Sequence, residues 1–189
     1  ETTMSDSAFT TRRDFLKGSA VATGALVIGF TLPVSSRFAQ AAAAAMPGRA
    51  TGFAPNAFLR IAPDGQVTVI CGLSEMGQGV FTTIPMIVAE ELDADWKSVK
   101  LEQAPADKAY INPMFGMQAT GGSTSIRGHY EPMRKAGAAA REMLVAAAAT
   151  QWSVDAATCR TQDGRVMGPE GRSAGYGELV AAASKLPVP

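Results

Sequence analysis

Two glycine-rich segments, each standing directly before a helical pattern, constrain this chain more than any other feature. The first is Glu75-Met76-Gly77-Gln78-Gly79, followed by an apolar, acid-ended run through Leu92. The second is Ala119-Thr120-Gly121-Gly122-Ser123-Thr124-Ser125, followed by an alanine-rich run. Glycine lets backbone N–H groups approach a ligand closely, and a helix start adds unpaired donors and partial positive charge. Gln78 carries both an amide donor and an acceptor. Each segment alone is equally readable as a turn, with Ser or Thr as an N-cap in the second. The first is not a dinucleotide fingerprint, because it lacks a third glycine and a following strand with an acid at its end.

The flanking patterns predict an α+β class: short strand hairpins with helices packed on one side. Phe58-Leu59-Arg60-Ile61 and Gln66-Val67-Thr68-Val69-Ile70-Cys71 are β-rich runs joined by Ala62-Pro63-Asp64-Gly65, in which Pro presets φ and Gly supplies φ > 0. A helix is expected over 83–92, with Pro85 in its first turn. Alternation over 97–103 places Val99 and Leu101 on one face of a strand. Residues 104–125 are rich in Pro, Gly, Asn, Ser and Thr without periodicity, a loop length that in a compact domain is usually functional or disordered. A helix follows over 131–150, with Ala138, Met143, Leu144 and Ala148 facing inward. Asp163-Gly164 marks a second hairpin between residues 158–160 and 165–167, and a short helix closes residues 173–186.

Residues 1–46 read as an address. Arg12-Arg13 precede Phe15-Leu16-Lys17, an apolar stretch from Gly18 to Leu32, and Ala39-Gln40-Ala41. That is the layout of a twin-arginine export signal with its cleavage region. The apolar stretch falls short of the roughly 20 residues that span a bilayer. Export to the periplasm is therefore expected, with a retained membrane anchor as the alternative, and residues 47–189 are taken as the folding part. Glu1 and the final Leu-Pro-Val-Pro read as cut ends, so the chain is expected to be the N-terminal portion of a longer subunit.

Charge and composition narrow the chemistry. Seventeen basic against 17 acidic residues give no net charge, which argues against a nucleic-acid partner. Two cysteines, Cys71 and Cys159, and one histidine, His129, supply no metal-ligand spacing, and a disulfide between the cysteines is left open. Glu90, Glu91, Asp93 and Asp95 read as a solvated helix end, and His129 as a surface or capping residue.

Together the two glycine segments resemble those of the xanthine dehydrogenase and aldehyde oxidase family of molybdenum hydroxylases. The order of motifs is similar to the group of isoquinoline 1-oxidoreductase β subunits and periplasmic aldehyde dehydrogenases. Matching stretches are Asn56-Ala57-Phe58-Leu59-Arg60-Ile61, Glu102-Gln103-Ala104-Pro105-Ala106 and Gly175-Tyr176-Gly177-Glu178-Leu179, across residues 56–189. The resemblance implies part of a molybdopterin-binding domain for molybdopterin cytosine dinucleotide with molybdenum. Gly77, Gln78 and Gly79 would contact the pterin and its phosphate, and Gly122, Ser123 and Ser125 would donate from the second loop. It implies an aldehyde or N-heterocycle as substrate and oxygen taken from water. Electrons would leave through an iron–sulfur small subunit carrying 2Fe–2S clusters, with a cytochrome c as a further acceptor. The catalytic base is expected beyond these residues, and Glu75 is not assigned that role. The rival class is a non-catalytic periplasmic binding or assembly module whose glycine loops are only turns. A generic nucleotide-binding enzyme is disfavoured by the incomplete fingerprint and by export.

Overall fold

A computed structural model describes residues 57–189 together with the strand Leu26–Gly29. The larger sheet has the order β1-β2-β3-β4, from Leu26–Gly29, Ala57–Ile61, Val67–Cys71 and Val99–Gln103. β1 and β3 both pair antiparallel with β2, and β4 runs parallel to β3. The parallel pair requires a crossover, which helix α1 (Val80–Leu92) provides. Helix α2 (Thr124–Trp152) follows the long loop. A three-stranded antiparallel sheet, β5 (Arg160–Gln162), β6 (Arg165–Met167) and β7 (Ser173–Gly175), leads into α3 (Tyr176–Ala183).

The register explains why the helices lie on one side. Leu59 opposes Val69, which lies beside Leu101; Ile61 opposes Val67, which lies beside Val99. Side chains alternate across a strand, so these six form two apolar rows on one face. α1 contributes Val80, Ile84, Val88 and Leu92 to one hydrophobic core with that face, and α2 contributes Met133, Ala140, Met143, Leu144, Ala147 and Ala148. On the other face, Phe58 meets Tyr110 edge-on, with ring centroids 5.4 Å apart. Both hairpin turns form as the sequence predicts. In the first, Gly65 has φ 86° and donates to the Ala62 carbonyl at 2.9 Å. In the second, Asp163 and Gly164 have φ 46° and 74°, the paired positive values of a type I′ turn.

Several expectations change. β1 takes Leu26–Gly29 from the stretch read as the core of the export signal and adds it to the sheet edge. The twin arginine and Ala39-Gln40-Ala41 lie outside the described residues. α1 begins at Val80 rather than at 83, and α2 at Thr124 rather than at 131. Pro85 and Pro132 therefore lie inside helices, each costing one backbone bond, because both helices are extended upstream by loop contacts. Residues 173–175 form a strand before the closing helix. Ala138 is half-buried, and Ala136, Gly137 and Ala140 are the buried positions around it.

Two helix ends tie the layers together. Asp93 adopts φ 55° after α1, and Ala94 N–H donates to the Ala89 carbonyl at 3.0 Å, a left-handed cap. The freed carbonyls of that end accept from Tyr176 Oη (on Leu92, 2.6 Å) and from Gly164 N–H (on Asp93, 2.8 Å). Gly177 sits so close to the first hairpin that a Cβ there would lie 2.2 Å from the Pro63 carbonyl oxygen. The stretch Gly175-Tyr176-Gly177-Glu178-Leu179 is thus an architectural motif. The acids of residues 90–95 also do structural work: Glu91 pairs with Arg134 across α1 and α2, and Asp95 caps the turn at Lys97. They are not the uniformly solvated end that their spacing suggests.

Candidate functional site

The two glycine segments come together. Ser74 N–H donates to Thr120 Oγ1 at 2.8 Å, tying the start of the first loop to the second. Gln118 reinforces the junction, its amide nitrogen lying 3.3 Å from the carbonyls of both Gly72 and Pro105. Gly72 permits this approach, since a Cβ there would meet Tyr110 at 2.7 Å.

In the first loop, Gly77 and Gly79 have φ 97° and 81°, and a Cβ at either would meet nothing within 4 Å. Their backbone therefore faces open space on one side. On the other side the N–H groups are engaged. Glu75 Oε1 accepts from Gly77 (2.8 Å) and Gly79 (2.9 Å), and Oε2 accepts from Phe81 (2.9 Å). The N–H of Phe81 first, then those of Gly79, Gly77 and Gln78, hold the Glu75 carboxyl below its ordinary 4.5. Gln78 folds onto its own loop: Met76 N–H donates to Oε1 at 2.6 Å, and Nε2 donates to the Ser74 carbonyl at 2.8 Å. Each contact uses one of two lone pairs or hydrogens, so Gln78 retains a donor and an acceptor.

The second loop is built around Asn112, fully buried at 0% exposure. Its Nδ2 donates to Thr124 Oγ1 (2.8 Å) and to the Ala119 carbonyl (3.1 Å), while its Oδ1 accepts from Met114 N–H (3.0 Å). Thr124 Oγ1 in turn donates to the Gly121 carbonyl at 2.8 Å. These bonds fix the entrance of α2. Ser123 stands at its N-cap with φ 54°, exposed and making no side-chain cap bond. Gly122 is exposed with φ 55°, but Phe115 lies over it, 3.4 Å from where a Cβ would be. Gly121 is the residue whose Cβ position is open. Ser125 is inside the first turn, half-buried, and its carbonyl accepts from His129 Nδ1 at 2.9 Å. Since a carbonyl only accepts, Nδ1 carries the proton. His129 is 2% exposed, not a surface residue, and burial pushes its pKa below 6.5.

The site residues read from sequence are thus gathered at two linked helix entrances. The Gly77 and Gly79 N–H groups are both engaged by Glu75 Oε1 in this structure, so neither stands as a free donor at the loop. Sequence reasoning missed Asn112, quoted Thr120 and Gly121 within the second segment without singling them out, and set Glu75 aside. An acid four residues before a glycine-led helix start was the available signal for Glu75. Cys71 is buried with its thiol pKa pushed up, Cys159 is half-buried, and both are free thiols.

A family profile described as "Molybdopterin cofactor-binding domain" matches residues 6–188. The chain belongs to this molybdopterin cofactor-binding domain family. The resemblance to molybdenum hydroxylases is therefore correct, and the match reaches into the N-terminal stretch that contributes β1. The domain is 48% identical over 131 residues to isoquinoline 1-oxidoreductase subunit beta of Brevundimonas diminuta, covering 68% of this chain and 17% of that protein. It is 32% identical over 176 residues to the membrane-bound aldehyde dehydrogenase (pyrroloquinoline-quinone) of Gluconacetobacter polyoxogenes, covering 93% and 22%. The chain thus spans about a fifth of the length of these curated relatives. Among solved structures, Cu,Mo-CO dehydrogenase aligns with TM-score 0.53 at 24% identity over 66% of this chain and 15% of that one. Quinoline 2-oxidoreductase from Pseudomonas putida 86 aligns with TM-score 0.52 at 19% identity over 90% and 21%. These alignments establish the mixed fold of the molybdopterin-binding domain. Among the described residues, no helix is long and apolar enough to cross a membrane.

Proposed function

We propose that this chain is the cofactor-binding part of a periplasmic, molybdenum-dependent oxidoreductase that acts on an aldehyde or an N-heterocycle. The observation that carries the reading is the pair of helix entrances tied by Ser74 and Thr120, with open backbone faces at Gly77, Gly79 and Gly121. Side-chain-free backbone is what a flat pterin needs for close approach. The residues fit such a group: Gly77, Gln78 and Gly79 line one side, and Gly122, Ser123 and Ser125 supply the other. When bound, molybdopterin cytosine dinucleotide with molybdenum supplies two-electron chemistry and insertion of oxygen derived from water. This chain's residues bind and orient that group, Gln78 through its remaining amide hydrogen and lone pair.

Electrons are proposed to leave through a partner iron–sulfur subunit with 2Fe–2S clusters, and onward to a cytochrome c. The twin-arginine pattern in residues 1–46 supports export of the folded, loaded protein to the periplasm.

Metal analysis and nucleotide release from the full-length protein test the reading. Molybdenum and a cytosine nucleotide are expected in equal amounts, and the absence of both refutes it, as does a quinone in their place. Gln78→Ala should lower molybdenum occupancy; unchanged occupancy returns the first loop to a simple turn.

A further inference from the structure

The first loop already contains an anion. Three backbone N–H groups, from Gly77, Gly79 and Phe81, converge on the Glu75 carboxylate at 2.8, 2.9 and 2.9 Å. The positive φ values of Gly77 and Gly79 turn their N–H groups toward it and leave their open sides outward. A second anion arriving here would have to displace a side chain held by three donors, or share them with a like charge. We propose that Glu75 is the positioning residue of this loop: its carboxylate sets the Gly-Gln-Gly conformation before any cofactor arrives and keeps phosphate out of the α1 entrance. The loop then addresses its ligand through Gln78 and the bare glycine faces, not through N–H to phosphate bonds. The depressed pKa of Glu75 agrees with this, since the carboxylate stays charged at neutral pH.

The loop-setting role stands on the hydrogen bonds alone; its meaning for a cofactor rests on the function proposed above. The test uses cofactor-free full-length protein and amide hydrogen exchange, with inorganic phosphate as the probe. In wild type the amides of Gly77, Gly79 and Phe81 should be protected, and millimolar phosphate should leave them unchanged. In Glu75→Ala their exchange should quicken about tenfold or more while residues 84–92 keep theirs. Added phosphate should then bind this variant and restore protection, which a purely structural lesion does not predict. Glu75→Gln, nearly isosteric, covers the case of misfolding: one amide oxygen can keep both glycines, so Phe81 alone should lose protection. Equal protection in wild type and variants, or phosphate perturbing the wild-type loop, overturns the proposal. So does unchanged molybdenum occupancy in purified Glu75→Ala holoenzyme. Wild-type protein that purifies without molybdopterin instead sinks the functional reading and leaves the exchange result standing.

Discussion

Gly137 offers a sharp test, because propensity and packing give opposite signs. It lies inside α2, where glycine costs about 1 kcal/mol relative to alanine, so propensity alone says Gly137→Ala stabilises. The structure says otherwise. A Cβ at Gly137 would lie 2.6 Å from the Val88 carbonyl oxygen, 2.9 Å from Glu91 Cβ and 3.1 Å from Leu92 N. Two of these neighbours are α1 backbone and cannot rotate away, so the helices must separate by about half an ångström or more. Overpacking of this kind typically costs about 1–3 kcal/mol, leaving a net loss of about 0–2 kcal/mol after the propensity gain. With a urea slope of about 1–3 kcal/mol/M, a loss of about 1 kcal/mol lowers the midpoint by about 0.3–1 M. The assay is urea unfolding of cofactor-free protein followed by circular dichroism, with Ala138→Gly as a control for propensity. α1 leaves the first glycine loop and α2 leaves the second, so the same separation should also lower molybdenum occupancy. A rise in the urea midpoint for Gly137→Ala would falsify the claim that this crossing is set by contact.

Three further outcomes are expected. Tyr176→Phe removes the bond to the Leu92 carbonyl (2.6 Å) and should cost about 1–3 kcal/mol; an unchanged midpoint would mean another donor replaces it. His129 is buried with its pKa depressed below 6.5, so its neutral form contributes stability above that value. As pH falls from 6.5 through the folded pKa, the unfolded chain binds the proton first and stability drops, and His129→Gln should flatten this part of a midpoint-versus-pH curve. Thr120→Val removes the acceptor for Ser74 N–H (2.8 Å) and should reduce molybdenum occupancy while shifting the unfolding midpoint little; a large stability loss with full occupancy contradicts the linking role.

Local rules made much of this protein legible before any coordinates. The two hairpins follow from Pro63-Asp64-Gly65 and Asp163-Gly164, because turn geometry depends on the residues in the turn. The apolar face of the sheet follows from alternation at Leu59, Ile61, Val67, Val69, Val99 and Leu101. The resemblance also located both glycine loops and named the family. Helix starts were less legible, since Val80 and Thr124 lie upstream of prolines that look like first-turn residues. The early turn of α2 is held by a contact from outside the helix, Asn112 reaching Thr124 across the long loop, whereas that of α1 is held by Glu75 from its own loop.

The sequence by itself determined the two hairpins, the apolar face of the main sheet, and that two glycine-rich entrances precede the main helices. Tertiary structure decided what those entrances do with their donors. Glycine spacing announces unpaired N–H groups, but only folding places the Glu75 carboxylate on three of them and Thr120 against Ser74. Hydrogen bonds are directional over about 3 Å, so loop flexion that one-dimensional spacing leaves free decides whether a donor meets a ligand or its own neighbour.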